Sequence, residues 1–364
     1  MERQKNNSKS RHSYFLSLAF EQAKINLGST SKNPSVGCVI ERDGSIISSG
    51  HTSLNGRPHA EYNALNKRKN FKNANLYVTL EPCSHYGVTP PCTNIIVKKK
   101  IKKVYYSSFD FDIRSKKKSK KILNKRKIIV KESLLQKNGL DFYKSYYLQH
   151  SSNLPLINAK IAVSKDYFTK NLKKKRITNL QSERRTHLLR SMHDCIISTS
   201  KSINDDDSLL NCRIDGLKNK SPHLFILDRN LKLKKKLKLF NIIKNRKTML
   251  FTCSNNRKKI SLLKRKGIKV IQINSLKNKN DFKKLFLILK KRGYSRIFVE
   301  SGLTFLNFLI KNKFLNNIYL FKSRNSLKKL GANYSTSNLI KKITLKNLIN
   351  VNLFEDNLYK EKLK

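Results

Sequence analysis

The sequence predicts an α/β protein made of two domains. The chain has 364 residues, which is long for one domain and enough for two, each with its own hydrophobic core. Short apolar runs alternate with helical patterns, as is typical of sheets covered by helices. The alternation restarts at Leu156, after the segment Gln149–Pro155, which we interpret as a linker. We therefore expect one domain over residues 1–150 and another over residues 151–364.

The elements of the first domain follow from local patterns. His12–Asn26 places apolar residues on one face and has Gly28 just past its end, which predicts a helix. The runs Val36–Ile40 and Ser45–Ile47 flank an Asp-Gly dipeptide at 43–44, which favours a tight hairpin. The other expected elements are a helix from about His59, a strand at Asn75–Leu80, a helix at Cys92–Lys99 and a strand at Val104–Ser107.

The second domain shows a similar alternation of short apolar strands and amphipathic helices. Strands are predicted at Ile157–Val163, Cys195–Thr199, His223–Asp228, Thr248–Cys253, Val270–Ile273 and Arg296–Glu300. Helices are predicted at Glu183–His193, Asp281–Arg292 and Thr304–Lys313. The two halves do not resemble each other, so the chain is not an internal repeat.

The net charge is extreme for a globular chain. The sequence has 79 Lys and Arg against 23 Asp and Glu, which gives a formal charge of +56. Such a charge attracts nucleic acid, but here the excess is spread along a Lys-, Asn- and Ile-rich chain and is not interleaved with stacking aromatics. We therefore favour a compositional origin and expect no specific nucleic-acid partner. No apolar run could span a bilayer and no signal-peptide core follows the N-terminus, so we expect a cytoplasmic protein without a membrane partner.

Histidine, glutamate and two cysteines of the first half have the spacing of a catalytic zinc site. The tetrapeptide PHAE at 58–61 opens a predicted helix, Cys83 follows a predicted strand, and Cys92 comes nine residues later. One imidazole and two thiolates leave the fourth position of a tetrahedral zinc open, as catalytic sites require. Zinc there lowers the pKa of a bound water toward about 7. Glu61, two residues from His59, can reach that water and shuttle its proton, which is typical of zinc-dependent deaminases.

The same segments carry a family resemblance. NPSVGCVI at 33–40, PHAE at 58–61 and VTLEPCSHYGVTPPC at 78–92 resemble the bifunctional deaminase/reductases of riboflavin biosynthesis. Nucleic-acid and nucleoside deaminases of the cytidine-deaminase-like fold typically have Cys-x-x-Cys, whereas eight residues separate Cys83 from Cys92 here. The resemblance implies a cytidine-deaminase-like first domain that binds one zinc per chain through His59, Cys83 and Cys92, with Glu61 as the catalytic proton shuttle.

The resemblance extends over nearly the whole chain. In the second half, SKSINDDDSLLNCR at 200–213 and FVESG at 298–302 are similar to the family's reductase domain, which has a dihydrofolate-reductase-like fold and uses NADPH. No Gly-x-Gly fingerprint is present in the sequence, consistent with that fold. The cofactor phosphates would instead meet backbone N–H groups where residues 300–302 open the Thr304 helix.

The family implies two successive reactions on a phosphorylated pyrimidine. The first removes the 2-amino group of a diaminopyrimidinone ribosylamine 5′-phosphate, and the second reduces its ribosyl group to ribityl with hydride from NADPH. The resemblance implies substrate contacts by Asn33, Arg190, Leu210, Arg213 and Glu300, with the two arginines on the ribose phosphate. It implies cofactor contacts by Val163, Ser202, Asp206 and Gly302. The sequence leaves homo-oligomerisation open.

Alternatives stand beside these roles. Arg190 and Arg213 could be solvated surface arginines, and the acidic run 205–207 could be a helix-capping turn. The chain also departs from the family pattern: Tyr167 stands where the family has glycine, and Arg176 where it has the tryptophan that lies along the cofactor. The family's basic residue at 88 is a valine, Pro after the acidic pair is Ser208, and the segment 110–121 lacks the usual Pro- and Gly-rich loop. The alternative function is a deaminase with a diverged, inactive reductase domain.

Overall fold

Two compact units make up the molecule in the computed structural model, which describes residues 2–67, 69–151, 153–173 and 176–364. The first unit is Met1–Asn153 and the second is Leu154–Lys364. Each unit contains its own sheet and its own buried apolar core. Within the described residues, every helix is too short or too polar to cross a bilayer.

The first unit is a five-stranded sheet with helices packed on it. Its helices are α1 (Glu2–Lys24), α2 (Ala60–Leu65), α3 (Cys92–Lys98), α4 (Ser119–Lys125), α5 (Gln136–Phe142) and α6 (Lys144–Gln149). Its strands are β1 (Gly37–Arg42), β2 (Ser45–His51), β3 (Asn75–Leu80), β4 (Lys103–Ser108) and β5 (Ile129–Lys131). The strand order is β2-β1-β3-β4-β5, with β1 antiparallel to both neighbours and β3, β4 and β5 parallel.

The predicted hairpin is confirmed, and two glycines let helices approach it from opposite faces. Asp43 and Gly44 both have positive φ, +53° and +89°, as a type I′ turn requires. A Cβ on Gly37 would stand 1.9 Å from the Ala19 carbonyl oxygen of α1, and one on Gly50 would stand 2.5 Å from the backbone of α2. Gly50 pairs with Cys38, the neighbour of Gly37, so α1 and α2 cover opposite faces of the sheet.

Some elements of the first unit extend beyond the predictions or were missed. Helix α1 begins at Glu2 rather than His12. The prediction missed its first ten residues because they are polar and show no apolar periodicity. The elements from α4 to α6 were not predicted. The strand β5 has only three residues, and its outer two are exposed, so it lacks an apolar run.

The second unit is built on an eight-stranded sheet. The strands of the unit, of which β7 and β14 lie outside that sheet, are β6 (Leu156–Val163), β7 (Lys170–Asn171), β8 (Cys195–Thr199), β9 (His223–Leu227), β10 (Thr248–Thr252), β11 (Lys269–Gln272), β12 (Arg296–Glu300), β13 (Asn317–Lys322), β14 (Gly331–Ala332) and β15 (Asn357–Lys362). Its helices are α7 (Leu180–Ser191), α8 (Ser200–Asp206), α9 (Arg257–Arg265), α10 (Lys279–Lys291) and α11 (Leu303–Lys311). Short 3₁₀ helices lie at Leu54–Gly56 in the first unit and at Lys218–Lys220, Lys238–Asn245, Lys328–Leu330 and Leu339–Lys342 in the second.

Seven strands of this sheet run parallel, and the edge strand β15 is antiparallel. The order is β11-β10-β9-β8-β12-β6-β13-β15, and β7 and β14 form a separate two-stranded ribbon. The six predicted strands and three predicted helices are confirmed within a few residues. Because β8, β12 and β6 are parallel neighbours, Thr199, Glu300 and Val163 end at the same edge of the sheet. That edge carries most of the predicted reductase residues.

Candidate active sites

The three predicted zinc ligands lie together in the first unit. His59 is the residue before α2, Cys92 is the first residue of α3, and Cys83 follows β3. Their candidate ligand atoms all lie within 4.8 Å of one another. The backbone N–H of Cys92 donates to Cys83 Sγ at 3.2 Å, which ties the two cysteines together. Elsewhere in the described chain no other group of three such ligands occurs.

The geometry of these atoms fits a tetrahedral zinc. His59 Nδ1 lies 3.6 Å from Cys83 Sγ and 3.4 Å from Cys92 Sγ. Bonds of about 2.0–2.1 Å to nitrogen and about 2.3 Å to sulfur, at a tetrahedral angle, require an N···S separation of roughly 3.6 Å. The hydrogen bond with Cys92 is the largest influence that lowers the pKa of the Cys83 thiol, which favours the thiolate that a metal binds. Three ligands leave a fourth position for water.

Glu61 stands in the first turn of α2 with its carboxylate against this cluster. The residue is 4% exposed. Burial, followed by the charge of Cys83, raises the pKa of Glu61 from 4.5 to about 7. A carboxyl group with such a pKa can both accept and return a proton near neutral pH. The helix start therefore presents a proton carrier beside the candidate metal ligands.

A buried carboxylate anchors the loop that follows β4. Glu81, two residues before Cys83, accepts hydrogen bonds from the backbone N–H groups of Asp110, Lys117 and Ser119 and from the Ser119 hydroxyl. This loop contains the segment 110–121, which lacks the family's Pro- and Gly-rich sequence.

The same loop reaches the turn after Cys83. The Ser115 hydroxyl accepts from the Ser84 N–H at 3.1 Å and lies 2.7 Å from His85 Nδ1. Asn33, the predicted pyrimidine contact, donates from Nδ2 to the Gly56 carbonyl oxygen at 2.9 Å. Gly56 lies on the chain segment that leads into His59.

In the second unit, Arg190 and Glu300 form a buried ion pair. The guanidinium donates through Nε to Oε1 at 2.6 Å and through Nη2 to Oε2 at 2.9 Å. The two side chains are 11% and 10% exposed, so Arg190 is not a solvated surface arginine. Burial alone would raise the pKa of Glu300, but Arg190 and then Lys160 lower it overall. The ion pair therefore fixes the side chains of Arg190 and Glu300, which are two of the predicted substrate contacts.

Other predicted reductase residues surround this pair or the adjacent helix starts. The Gly302 N–H donates to Ser202 Oγ at 2.9 Å, which joins the start of α11 to the first turn of α8. Leu210 is buried, and its neighbour Asn211 accepts from Arg190 Nη1 at 3.0 Å. Arg213 is exposed and donates to Glu183 at 3.0 Å. Val163 is a core residue at the end of β6.

Asp206 is the last residue of α8 and is exposed. Residues 205–207 do form a helix-capping turn, but at the C-terminal end of α8, where the helix dipole does not favour their negative charge. Asp207 is the cap residue and adopts a left-handed conformation with φ of +46°. Its carboxylate accepts from the Lys238 N–H at 2.9 Å.

Sequence reasoning missed Lys160, a charged residue in the buried strand β6. Burial lowers the pKa of its ammonium, and Glu300, Arg190, Glu183 and Asp206 are the charges that act on it next. Its Nζ lies 5.5 Å from the centroid of the Phe321 ring. A single lysine within the apolar run of residues 156–163 could have pointed to this position, because lysine is rarely buried without a partner.

Two departures from the family pattern are accommodated by specific contacts. Tyr167 has φ of +66°, the left-handed conformation that glycine adopts without strain. Its hydroxyl accepts from Lys322 Nζ at 3.2 Å, and the same ammonium lies 4.3 Å from its ring centroid. Arg176 is exposed and pairs with Glu183 at 2.9 Å.

Comparison with known proteins agrees with this arrangement. Residues 9–108 match the cytidine and deoxycytidylate deaminase zinc-binding region, and residues 155–323 match the RibD C-terminal domain. The chain is 31% identical to the riboflavin biosynthesis protein RibD of Aquifex aeolicus over 310 residues, which cover 84% of this chain and 85% of that protein. The chain belongs to the RibD family.

Further similar proteins match either part of the chain or nearly all of it. The diaminohydroxyphosphoribosylamino-pyrimidine deaminase of Buchnera aphidicola subsp. Schizaphis graminum is 36% identical over 143 residues, which cover 39% of this chain and 97% of that protein. The solved structure of Acinetobacter baumannii RibD is 26% identical with a TM-score of 0.78, covering 97% of this chain and 99% of that one. The predicted fold class, a cytidine-deaminase-like domain followed by a dihydrofolate-reductase-like domain, is confirmed.

Proposed function

We propose that the chain performs two successive steps of riboflavin biosynthesis. The first is hydrolytic deamination of 2,5-diamino-6-ribosylamino-4(3H)-pyrimidinone 5′-phosphate, and the second is NADPH-dependent reduction of the ribosyl side chain to ribityl. The observation that carries the proposal is the cluster of His59, Cys83 and Cys92 with the carboxylate of Glu61 beside it. The substrate is a small phosphorylated pyrimidine, and we propose a cytoplasmic location without a specific nucleic-acid partner.

In the deaminase domain, each residue has a separate task. His59, Cys83 and Cys92 hold one zinc per chain, which when bound acts as a Lewis acid that makes water nucleophilic near neutral pH. Glu61 accepts one proton from the attacking water and gives it to the ring nitrogen. It then moves the second water proton from the hydroxyl of the ring-carbon adduct to the amino group, which leaves as ammonia. Asn33 retains its side-chain oxygen as an acceptor for the pyrimidine, because only its Nδ2 donates to Gly56.

In the reductase domain, the residues bind and orient. NADPH would supply the hydride, and Val163, Ser202, Asp206 and Gly302 would hold the cofactor. Ser202 and Gly302 are joined by a hydrogen bond where β8 and β12 end. Arg190 and Arg213 hold the ribose phosphate, and Leu210 and Glu300 contact the sugar. Lys160, on whose ammonium the charges of Glu300 and Asp206 act, is a further candidate cation of this site.

Product masses after incubation of the diamino substrate, with and without NADPH, test both steps. Deaminated product should form without NADPH, and the ribityl product should appear only when NADPH is added. Cys83→Ser should block the first step while still reducing the deaminated intermediate when that is supplied. Asp206→Asn should release ammonia normally and accumulate the intermediate, since distant sites respond independently to mutation. Ammonia release without any NADPH oxidation by the wild type would favour the deaminase-only alternative.

A further inference from the structure

A tyrosine ring stands exposed beside the start of α11. Tyr334 is 57% exposed, and its carbonyl oxygen accepts from the Thr304 hydroxyl, in the first turn of α11, at 3.2 Å. One turn further along the helix, Asn307 donates to the Ser335 hydroxyl at 3.2 Å and to the Ser337 carbonyl oxygen at 2.6 Å. These hydrogen bonds fasten the segment that carries the ring to the first two turns of α11.

Two ammonium groups from different segments gather at this ring. Lys170 Nζ, on β7, lies 4.7 Å from the Tyr334 ring centroid, and Lys201 Nζ, on α8, lies 5.5 Å from it. Lys201 also pairs with Asp205 at 3.1 Å. Lys170 has no carboxylate within 4.0 Å among the residues that the structure covers. Two like charges on one exposed ring repel each other, and an anion between them would relieve that repulsion.

The lysine pair lies near the starts of α8 and α11, where the sequence predicts the cofactor phosphates; we call this place the reductase corner. Lys201 is followed by Ser202, whose hydroxyl accepts from the Gly302 N–H that precedes α11. The Ser202 hydroxyl also lies 3.0 Å from the Thr199 hydroxyl and 3.3 Å from the Ser301 hydroxyl. The corner therefore combines hydrogen-bonding hydroxyls, the N-terminal end of a nine-residue helix and two ammonium groups.

We propose that Lys170 and Lys201 bind a phosphate of the nicotinamide dinucleotide, and that Tyr334 is the positioning residue that holds both ammonium groups there. The inference rests on the proposed reductase function. An ammonium ion over an aromatic face is attracted by the ring quadrupole, so the ring can collect the two side chains without neutralising them. The Lys170 ammonium then remains available to the phosphate as a charge-assisted donor, and the Lys201 ammonium, which has three N–H groups, keeps further donors beside its bond to Asp205.

Direct titration with NADPH tests this assignment. The chain has no tryptophan, so nicotinamide fluorescence can be followed without an indole contribution. Lys170→Gln and Lys201→Gln should each weaken NADPH binding roughly ten-fold, the lower end for a hydrogen bond to a charged group. Tyr334→Leu should also weaken binding, whereas Tyr334→Phe, which keeps the aromatic face, should retain it.

Lys266→Gln is the matched control. Lys266 Nζ lies 3.9 Å from the Phe240 ring centroid, so this variant removes the same charge from the same kind of contact in the same unit. Lys266 follows α9 and precedes β11, at the opposite edge of the parallel sheet from the start of α11. Its NADPH affinity should equal that of the wild type.

The two dinucleotides separate the two phosphate sources. An equal loss of affinity for NADPH and NADH would support contact with the pyrophosphate, and a loss for NADPH alone would support contact with the 2′-phosphate. Unchanged binding of both dinucleotides by Lys170→Gln and Lys201→Gln would overturn the inference, as would a raised KM for the pyrimidine substrate alone. A wild type that binds neither dinucleotide would refute the proposed reductase itself, and this inference with it.

Discussion

Replacing Glu300 with glutamine should destabilise the second unit strongly. The substitution keeps the shape of the side chain but removes the carboxylate that accepts both hydrogen bonds from Arg190. It leaves the buried guanidinium of Arg190 without its ion-pair partner, and it removes the negative charge that acts on the half-buried Lys160. Breaking one partner of a buried ion pair costs about 3–5 kcal/mol. For a unit of this size that corresponds to a fall in Tm of roughly 6–20 °C.

Thermal unfolding followed by circular dichroism measures this loss, and ammonia release serves as the internal control because the deaminase lies in the other unit. The double variant Arg190→Gln/Glu300→Gln should recover at least about half of the lost free energy of unfolding, since it removes both charges. NADPH oxidation should be lost in the single and double variants alike, which separates stability from chemistry. A fall in Tm below about 3 °C for Glu300→Gln, or a double variant as unstable as the single one, would refute the reasoning.

Three further predictions concern the metal, the proton shuttle and pH. Metal analysis of the purified protein should find one zinc per chain, and two would contradict the single ligand set of the described residues. Glu61→Gln should retain that zinc but release ammonia roughly 10²–10⁴-fold more slowly; loss of the metal would mean that Glu61 is a ligand. Burial, followed by Arg296, lowers the pKa of His193 from 6.5 to about 3, so protonation favours the unfolded chain. Lowering the pH from 7 to 5 should therefore reduce the free energy of unfolding by about 2 kcal/mol, because the unfolded chain binds a proton at His193 and the folded chain does not. Urea titrations of His193→Gln should lack that part of the pH dependence.

The deaminase cluster was predictable because its parts are contiguous. His59 and Glu61 lie at the start of one helix, and Cys92 begins α3 at the end of the loop that contains Cys83, so the spacing of residue types already defines a three-ligand set. Only the packing that fixes α2 was hidden. Gly50 allows close approach of the backbone of that helix, and the sequence does not indicate which glycine in a strand will face a helix.

The reductase corner was less accessible from sequence, because its pairs join residues far apart along the chain. Arg190 and Glu300 are 110 positions apart, and a pattern confined to a short window cannot show that they meet. The strand β15 was missed for a different reason: as an edge strand it mixes lysine and glutamate with its apolar residues, which protects the edge but weakens the strand pattern. The edge position became evident only from its pairing with β13.

The way Glu81 holds the loop after β4 has a consequence for how this family can change over time. Three of the four groups that donate to its carboxylate are backbone amides, which every residue except proline possesses. The loop can therefore exchange most of its side chains, including the loss of its usual prolines and glycines, while its path past the cysteines stays the same. Sequence divergence in residues 110–118 is thus compatible with an unaltered turn at the candidate metal ligands, provided that Glu81 itself is kept.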